Sequence, residues 1–217
     1  MRVVIFANGS LSRSWDLGSL LKPDDILIAA DGGAAHMLEL HLLPNVAIGD
    51  FDSLGAEQQK ALETAGVRLF RYPVKKDLTD LELAIQYAQS LGVEDILIVG
   101  ALGNRWDQTL ANLLLPAAAA YTNLSIRLVD GEQEISLIRA GQTLDLAGHP
   151  GSTLSLIPLA GDACGITTQG LEYPLDRETL SFGSTRGISN VLQNAHASVT
   201  LETGMLLCVL IRDSLLK

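Results

Sequence analysis

The sequence predicts an α/β fold, with an N-terminal, mostly parallel sheet and flanking helices followed by a C-terminal all-β sandwich. In the first 130 residues, short runs rich in β-branched residues alternate with segments of helical periodicity, which is typical of a parallel sheet covered by helices. After residue 130, glycine turns separate short alternating runs, and no segment shows a convincing helix. At 217 residues, the chain is long enough for one large domain or two small ones.

The first half contains six predicted strands and four predicted crossover helices. The strands are short apolar runs at residues 3–7, 26–30, 46–48, 67–72, 96–99 and 126–129. The helices fall between them, at residues 34–43, 56–65, 79–91 and 107–121. The third is the most regular, because Leu81, Ala84, Ile85 and Ala88 lie on one stripe.

The second half has four strand-like runs, at residues 153–159, 179–183, 197–202 and 205–211, and their regular spacing suits a small sandwich. This change in the sequence pattern predicts a domain boundary near residue 131. We therefore expect domains at residues 1–130 and 131–217.

Composition narrows the classes of partner. Hydrophobic residues make up 47% of the chain, and a net charge of −10 argues against non-specific binding to nucleic acid or to an anionic membrane. Cys164 and Cys208 have no zinc-site spacing and form no disulfide framework, which favours a reducing compartment. The first ten residues resemble a strand more than a signal peptide, and no apolar stretch is long enough to span a bilayer. We expect a cytoplasmic protein with no nucleic-acid or membrane partner.

Polar and glycine-rich residues follow almost every predicted strand of the first half. The carboxyl ends of parallel strands form the edge where ligands bind in such sheets. Six carboxylates fall on this edge: Asp31, Asp50, Asp52, Asp77, Asp80 and Asp107. Lys75, Lys76 and Arg105 are the cations on the same edge, within reach of phosphate oxygens if the loops converge.

Each aspartate also has an ordinary structural explanation, because Asp is favoured in turns and in the first turn of a helix. Thr79 with Glu82 forms the pattern of a capping box. Taken together, however, clustered carboxylates repel one another unless a cation is present, and Mg²⁺ prefers such oxygens together with substrate phosphates. The cluster therefore predicts a metal and a polyphosphate.

Asp50 and Asp52 form the most specific short motif, since alternate residues of an extended segment lie on one side and could face one metal. Gly32 and Gly33 would allow backbone N–H groups to approach a phosphate, although such a pair is more often just a tight turn. The chain has no P-loop motif and no dinucleotide-binding fingerprint after a strand. Nucleotide binding must therefore be built in another way.

Six segments, in this order along the chain, resemble the thiamine pyrophosphokinase family: ADGGA (30–34), IGDFDS (48–53), KDLTD (76–80), GNRWDQTLANL (103–113), GLEYPL (170–175) and SFGSTRGISN (181–190). The resemblance implies transfer of pyrophosphate from ATP to the hydroxyl of thiamine, giving thiamine diphosphate and AMP, with Mg²⁺ required. It also implies a homodimer with shared active sites.

The resemblance further implies roles for individual residues. Residues 1–130 would bind nucleotide and metal, and residues 131–217 would contribute to thiamine binding and dimerisation. The catalytic metal ligands would be Asp50, Asp52 and Asp80. The remaining residues would bind nucleotide and phosphate (Asp31, Gly32, Gly33, Asp77, Thr79, Arg105 and Asp107) or thiamine (Ser189, Asn190 and Tyr173).

The sequence departs from the family pattern at two positions. Asn104 stands where many members have glycine, and Tyr173 stands where many have Trp. Tyr173 could stack on a cationic heterocycle or belong to the core.

Two other classes of protein remain open from the sequence. Asp50 and Asp52 followed by a hydroxyl residue also describe the nucleophile loop of an aspartyl-phosphate phosphatase. A non-catalytic sensor of nucleotide or thiamine diphosphate could use the same fold. Within the transferases, the acceptor could also be a related heterocyclic alcohol such as a hydroxymethyl pterin.

Overall fold

The computed structural model describes residues 1–11 and 17–212. By its internal contacts the chain divides into two compact units, Met1–Gly131 and Glu132–Lys217. Each unit has its own cluster of buried apolar side chains. The predicted fold class is confirmed: a parallel sheet with helices, then antiparallel sheets.

The first unit is built on six parallel strands in the order β6-β5-β1-β2-β3-β4. Their bounds are β1 Arg2–Phe6, β2 Ile26–Ala30, β3 Val46–Gly49, β4 Arg68–Arg71, β5 Asp95–Val99 and β6 Ser125–Asp130. Central strands are buried on both faces, and every residue of β1 is buried. This burial explains why the strands appear in the sequence as nearly continuous apolar runs.

Among the described residues, four α-helices lie between these strands: α1 Gly33–Glu39, α2 Ala56–Thr64, α3 Asp80–Ser90 and α4 Trp106–Leu114. Helices α1 and α2 share a hydrophobic cluster with alternate residues of the strands, such as Val4 and Phe6. Helix α3 contacts the same strands, but its four buried residues lie outside that cluster, which places α3 on the opposite face.

The fourth predicted helix is shorter than expected. We predicted residues 107–121, whereas α4 ends at Leu114 and is followed by two single 3₁₀ turns, Leu115–Ala117 and Ala119–Tyr121. Pro116 has no N–H to donate and its ring clashes with the preceding turn, so the helix cannot continue. The alanine-rich segment had suggested a longer helix because alanine has a high helix propensity.

The second unit is a pair of antiparallel sheets, in the orders β12-β9-β14-β7 and β11-β10-β13-β8. Residues from both sheets share one core, as expected for a sandwich. The strands are β7 Gln133–Arg139, β8 Thr143–Ala147, β9 Thr153–Pro158, β10 Ala163–Gln169, β11 Glu178–Leu180, β12 Asn190–Val191, β13 His196–Thr200 and β14 Met205–Ile211. Strands β7, β8, β10 and β12 were not predicted from the sequence.

Within the described residues, no helix is long and apolar enough to cross a membrane.

Candidate functional site

A cleft of about 660 Å³ opens at the carboxyl ends of the strands in the first unit. It lies where the strand order reverses, because β2 follows β1 on one side and β5 flanks β1 on the other. This is the position at which open α/β sheets bind their ligands. The walls come from the loop after β1 (residues 7–10), the loop after β5 (residues 101–105), the start of α3 and one side of α4.

The loops after β1 and β5 run against each other along one wall. The N–H of Gly9 donates to the carbonyl of Gly100 at 2.6 Å, and the N–H of Ser10 donates to that of Leu102 at 2.7 Å. A Cβ at Gly9 would lie 2.4 Å from the carbonyl oxygen of Leu102, so only glycine fits this close approach. The hydroxyl of Thr109 on α4 donates to the carbonyl of Gly103 and anchors the second loop to the helix. Backbone hydrogen bonds therefore hold the two loops of this cleft wall together.

Three carboxylates meet in the first unit. Ligand oxygens of Asp31, Asp50 and Asp52 all lie within 4.8 Å of one another. Asp31 is only 9% exposed, and its Oδ1 is buried without a hydrogen-bond partner among the residues that the structure describes. A buried carboxylate oxygen without a partner is costly unless a cation compensates it. This donor set fits a hard cation such as Mg²⁺.

The Asp50 and Asp52 motif does not have the extended backbone that we predicted. Phe51 has a left-handed φ of 60° and its side chain is buried in the core. The N–H of Asp52 donates to Oδ1 of Asp50 at 3.1 Å, which closes a tight local turn. The two carboxylates still lie together, because the turn buries the aromatic ring and leaves the residues on both sides of it near the cleft.

The same turn shifts the pKa values of Asp50 and Asp52 in opposite directions. The hydrogen bond from the N–H of Asp52, with help from the charge of Lys76, lowers the pKa of Asp50. The negative charge of Asp50 in turn raises the pKa of Asp52. A neighbouring negative charge disfavours ionisation of the second carboxyl in this way, and a bound cation would relieve the repulsion.

Lys76 is a cation that pairs with this group of carboxylates. Its Nζ lies 2.9 Å from Oδ1 of Asp80 and 3.5 Å from Oδ2 of Asp50, and the lysine side chain is 13% exposed. Burial would lower the pKa of Lys76, but the hydrogen bond and charge of Asp80, together with Asp50, raise it. Burial raises the pKa of Asp80, and Lys76 partly offsets this. Lys76 therefore links Asp80 to the group formed by Asp31, Asp50 and Asp52.

Two other predicted residues of this segment have different positions. Thr79 is the N-cap of α3, and its Oγ1 accepts a hydrogen bond from the N–H of Glu82 at 3.2 Å. Thr79 also lines the cleft, so capping the helix does not exclude contact with a ligand. Asp77 is exposed and is not among the residues that line the cleft.

Gly32 and Gly33 are required by packing. A Cβ at Gly33 would lie 1.9 Å from the carbonyl oxygen of Phe6, and one at Gly32 would lie 2.0 Å from Oδ1 of Asn8. Helix α1 therefore begins in close contact with the end of β1. This close approach brings Asp31, just before the glycines, into the cleft wall.

Arg105 and Asp107 form an exposed pair at the start of α4. Their side chains are joined at 2.5 Å, and both are about two-thirds exposed. The hydrogen bond between them raises the pKa of Arg105 and lowers that of Asp107. Arg105 lines the cleft, so Asp107 orients a guanidinium at its open side.

The predicted thiamine residues lie in the second unit. The side-chain amide of Asn190 accepts from the N–H of Tyr173 at 3.1 Å and donates to its carbonyl at 2.7 Å. Ser189 has a left-handed φ of 61°, and its N–H donates to the hydroxyl of Ser155. Tyr173 is 63% exposed, which rules out the core role left open by the sequence. Asn190 therefore braces a loop that presents an aromatic ring to solvent.

Sequence reasoning gave no role to two residues that contact Asp31. Nδ2 of Asn8 and Oγ of Ser53 each donate to Oδ2 of Asp31 at 3.0 Å. Ser53 ends the segment IGDFDS (48–53), directly after Asp52, and Asn8 lies in the loop after β1. Their convergence on one oxygen depends on strand order, which no local pattern reveals.

Comparison with known proteins finds matches along most of the chain. The family model described as thiamin pyrophosphokinase, catalytic domain, matches residues 17–128, and the one for the vitamin B1 binding domain matches residues 139–206. The thiamine pyrophosphokinase of Bacillus subtilis is 31% identical over 94% of this chain and 96% of its own.

Solved structures agree as well. The crystal structure of the Bacillus subtilis enzyme matches with a TM-score of 0.88 at 28% identity, covering 99% of this chain and 100% of that one. The thiamin pyrophosphokinase of Geobacillus thermodenitrificans matches with a TM-score of 0.85 at 28% identity, covering 99% of each chain.

Proposed function

The chain belongs to the thiamin pyrophosphokinase family, a family of diphosphate-transferring enzymes, and on this basis we propose that it transfers pyrophosphate from ATP to the hydroxyl of thiamine. The products are thiamine diphosphate and AMP. The observation that carries the proposal is the group of Asp31, Asp50 and Asp52 at the edge of a cleft large enough for a nucleotide. The proposal places the enzyme in the cytoplasm, where ATP is available.

Asp50, Asp52 and Asp80 hold Mg²⁺ in this proposal, and Asp31 joins them as an additional ligand. Bound Mg²⁺ would supply charge neutralisation for the triphosphate and fix the orientation of its oxygens. The support is the unpartnered Oδ1 of Asp31 among neighbouring carboxylates. Without a cation, this acidic edge would repel ATP rather than bind it.

The cations of the protein complete the phosphate side of the cleft. Lys76 lies between Asp50 and Asp80, and Arg105, which is paired with Asp107, also lines the cleft. Thr79 offers a hydroxyl at the start of α3, and Gly32 and Gly33 let α1 begin close to the end of β1. Asp77, which is exposed beside Lys76, is assigned to the nucleotide side by the family resemblance alone. Positioning and neutralisation supply most of the catalysis in phosphoryl transfer, and a loose transition state requires little early deprotonation of the thiamine hydroxyl.

The second unit supplies the thiamine contacts. Tyr173 presents an exposed ring that can stack on a cationic heterocycle, and Ser189 and Asn190 lie on the segment that supports it. A stacking contact of this kind contributes about 1 kcal/mol in a partly hydrated site.

We further propose that the enzyme is a homodimer whose active sites are shared between subunits. Helix α4 supports this proposal, because Thr109 is its only buried residue, while Trp106, Leu110 and Leu114 are 77%, 55% and 50% exposed. Residues spaced by four lie along one side of a helix, so these three form an apolar stripe. A second copy of the chain is the occupant that the family relationship suggests.

A product assay tests the reaction. The enzyme is incubated with ATP, Mg²⁺ and thiamine, and the nucleotides are separated. We expect AMP and thiamine diphosphate in equal amounts. ADP as the main product would contradict the proposal, and phosphate release from a phosphomonoester without an acceptor would instead indicate a phosphatase. A protein that binds thiamine diphosphate without turnover would be a sensor.

Substitution of the carboxylates tests the metal site. Asp50→Asn and Asp52→Asn should each lower turnover by about 100-fold or more, because each removes a metal ligand. Both variants should remain folded by circular dichroism. Asp24→Asn, at an exposed turn outside the cleft, is the matched control and should keep wild-type turnover. Near-normal activity of either variant at saturating Mg²⁺ would refute the assignment.

Complementation tests the shared site. An Asp52→Asn chain and an Asn190→Ala chain, each inactive alone, are dissociated and mixed in equal amounts. Random exchange makes half of the dimers mixed, each with one intact site, so activity should recover to about a quarter of wild type. Each variant treated alone is the control. No recovery, although native mass spectrometry shows heterodimers, would place the whole site within one subunit.

A further inference from the structure

The carboxylate of Asp31 is held by one of its oxygens only. Oδ2 accepts two hydrogen bonds, from Nδ2 of Asn8 and Oγ of Ser53, both at 3.0 Å. Oδ1 accepts none from the described residues and is buried. Two donors on one oxygen restrict rotation of the carboxylate about its side-chain torsion, because any other orientation breaks both bonds.

The backbone of Asp31 is equally constrained. Its φ of 47° lies in the left-handed region, which Asp tolerates better than most residues but which is still strained. Its N–H donates to the carbonyl of Ile48 at 2.8 Å, and the backbone of Gly49 passes so close that a Cβ there would lie 3.0 Å from the Cα of Asp31. A strained residue that its surroundings fix in place is typical of a functional site.

From these contacts we propose that Asn8 and Ser53 are positioning residues, which hold Asp31 so that its free oxygen is available to the metal bound with Asp50 and Asp52. The inference rests on the metal role proposed above. Neither residue is a metal ligand in this arrangement; Ser53 lies outside the lining of the cleft, whereas Asn8 is part of it. Partners that orient a ligating carboxylate stabilise the ligand in its binding conformation, and losing one typically weakens metal affinity by 10- to 100-fold.

The test measures metal binding directly. Binding of Mn²⁺ is followed by electron paramagnetic resonance in the presence of α,β-methylene ATP, whose bridge between the α- and β-phosphorus cannot be cleaved. Ser53→Ala and Asn8→Ala should each raise the Kd for Mn²⁺ by about 10-fold. In steady-state assays the apparent KM for Mg²⁺ should rise in both variants while the KM for thiamine is unchanged.

Two further variants separate positioning from general structure. Ser53→Thr keeps the hydroxyl and should bind Mn²⁺ close to wild type. Ser90→Ala is the matched control, since it removes an exposed hydroxyl that donates to a backbone carbonyl at the far end of α3, and it should leave the Kd unchanged. Asn8 and Ser53 are exposed residues, so their alanine variants are expected to fold, which thermal melting checks.

Each outcome is decisive. A Kd for Mn²⁺ that stays at the wild-type value in both alanine variants would overturn the positioning role while leaving the metal site intact. A wild-type protein that fails to bind Mn²⁺ with the nucleotide analogue would overturn the metal site itself, and the positioning role with it. A loss of affinity in Ser53→Ala that Ser53→Thr does not show would support the inference.

Discussion

Lys76 acts as an internal counter-ion for the carboxylates when no metal is bound, and its removal has a calculable cost. At an effective dielectric constant of about 20, attraction to Asp80 at 2.9 Å amounts to about 6 kcal/mol and attraction to Asp50 at 3.5 Å to about 5 kcal/mol. Desolvation of the lysine cancels much of this gain. For Lys76→Met we therefore expect the free energy of unfolding to fall by about 3 kcal/mol in the absence of metal.

Urea denaturation at pH 7.5, with and without Mg²⁺, measures the effect. A cation that binds only the folded protein stabilises it by about 1.4 kcal/mol at ten times its Kd. Because the Lys76 charge competes with a metal for the same carboxylates, Mg²⁺ should bind Lys76→Met more tightly and stabilise it more. The difference in the free energy of unfolding between wild type and Lys76→Met should therefore narrow when Mg²⁺ is added. Lys75→Met, at the exposed neighbouring lysine, is the control and should match wild type under both conditions. If Lys76→Met were as stable as wild type without metal, the counter-ion role would be wrong.

The remaining predictions concern the framework of the first unit. Gly33→Ala should lower the melting temperature by several degrees and reduce turnover, because its Cβ would lie 1.9 Å from a backbone carbonyl oxygen of β1; an unchanged melting curve would contradict this. Burial alone would raise the pKa of the Asp25 carboxyl, but the hydrogen bonds from Arg2 and from the N–H of Lys22, together with the charges of both residues, lower it. The stability that this ion pair contributes is present above about pH 4 and is lost as the pH falls further. Chemical denaturation should therefore show that the difference in the free energy of unfolding between wild type and Asp25→Asn shrinks below about pH 4. A difference that stays constant down to about pH 2.5 would refute this pH dependence.

The parallel sheet was predictable because its strands are buried on both faces. A run such as Ile26–Ala30 is apolar throughout, and its bounds in the structure are those predicted. Several strands of the second unit escaped prediction because their residues are only partly apolar. Strand β10, Ala163–Gln169, contains a glycine and two threonines, and β8 has a single buried residue. Their pairing with neighbours, rather than their own composition, makes them strands.

The sequence predicts which residue types gather at the candidate site, but it does not predict all of the contacts between them. The position of Asp31 after β2 and of Asp50 after β3 follows from the rule that parallel strands end at one edge. The turn at Phe51 could not be foreseen, because a left-handed φ at an aromatic residue opposes its local preference and is imposed by burial of the ring. The contact between Asn8 and Asp31 likewise depends on β1 and β2 being neighbours.

The division of the chain at Gly131 bears on the order in which the protein forms during synthesis. Every strand and helix of the first unit precedes this residue, and the cluster that includes Val4 and Val129 contains no side chain from later in the sequence. Parallel strands pair slowly, because each requires a long crossover to close. Domains fold as units and N-terminal ones begin first on the ribosome. The α/β unit therefore leaves the ribosome first and can begin its slow strand pairing while the residues of the sandwich are still being translated.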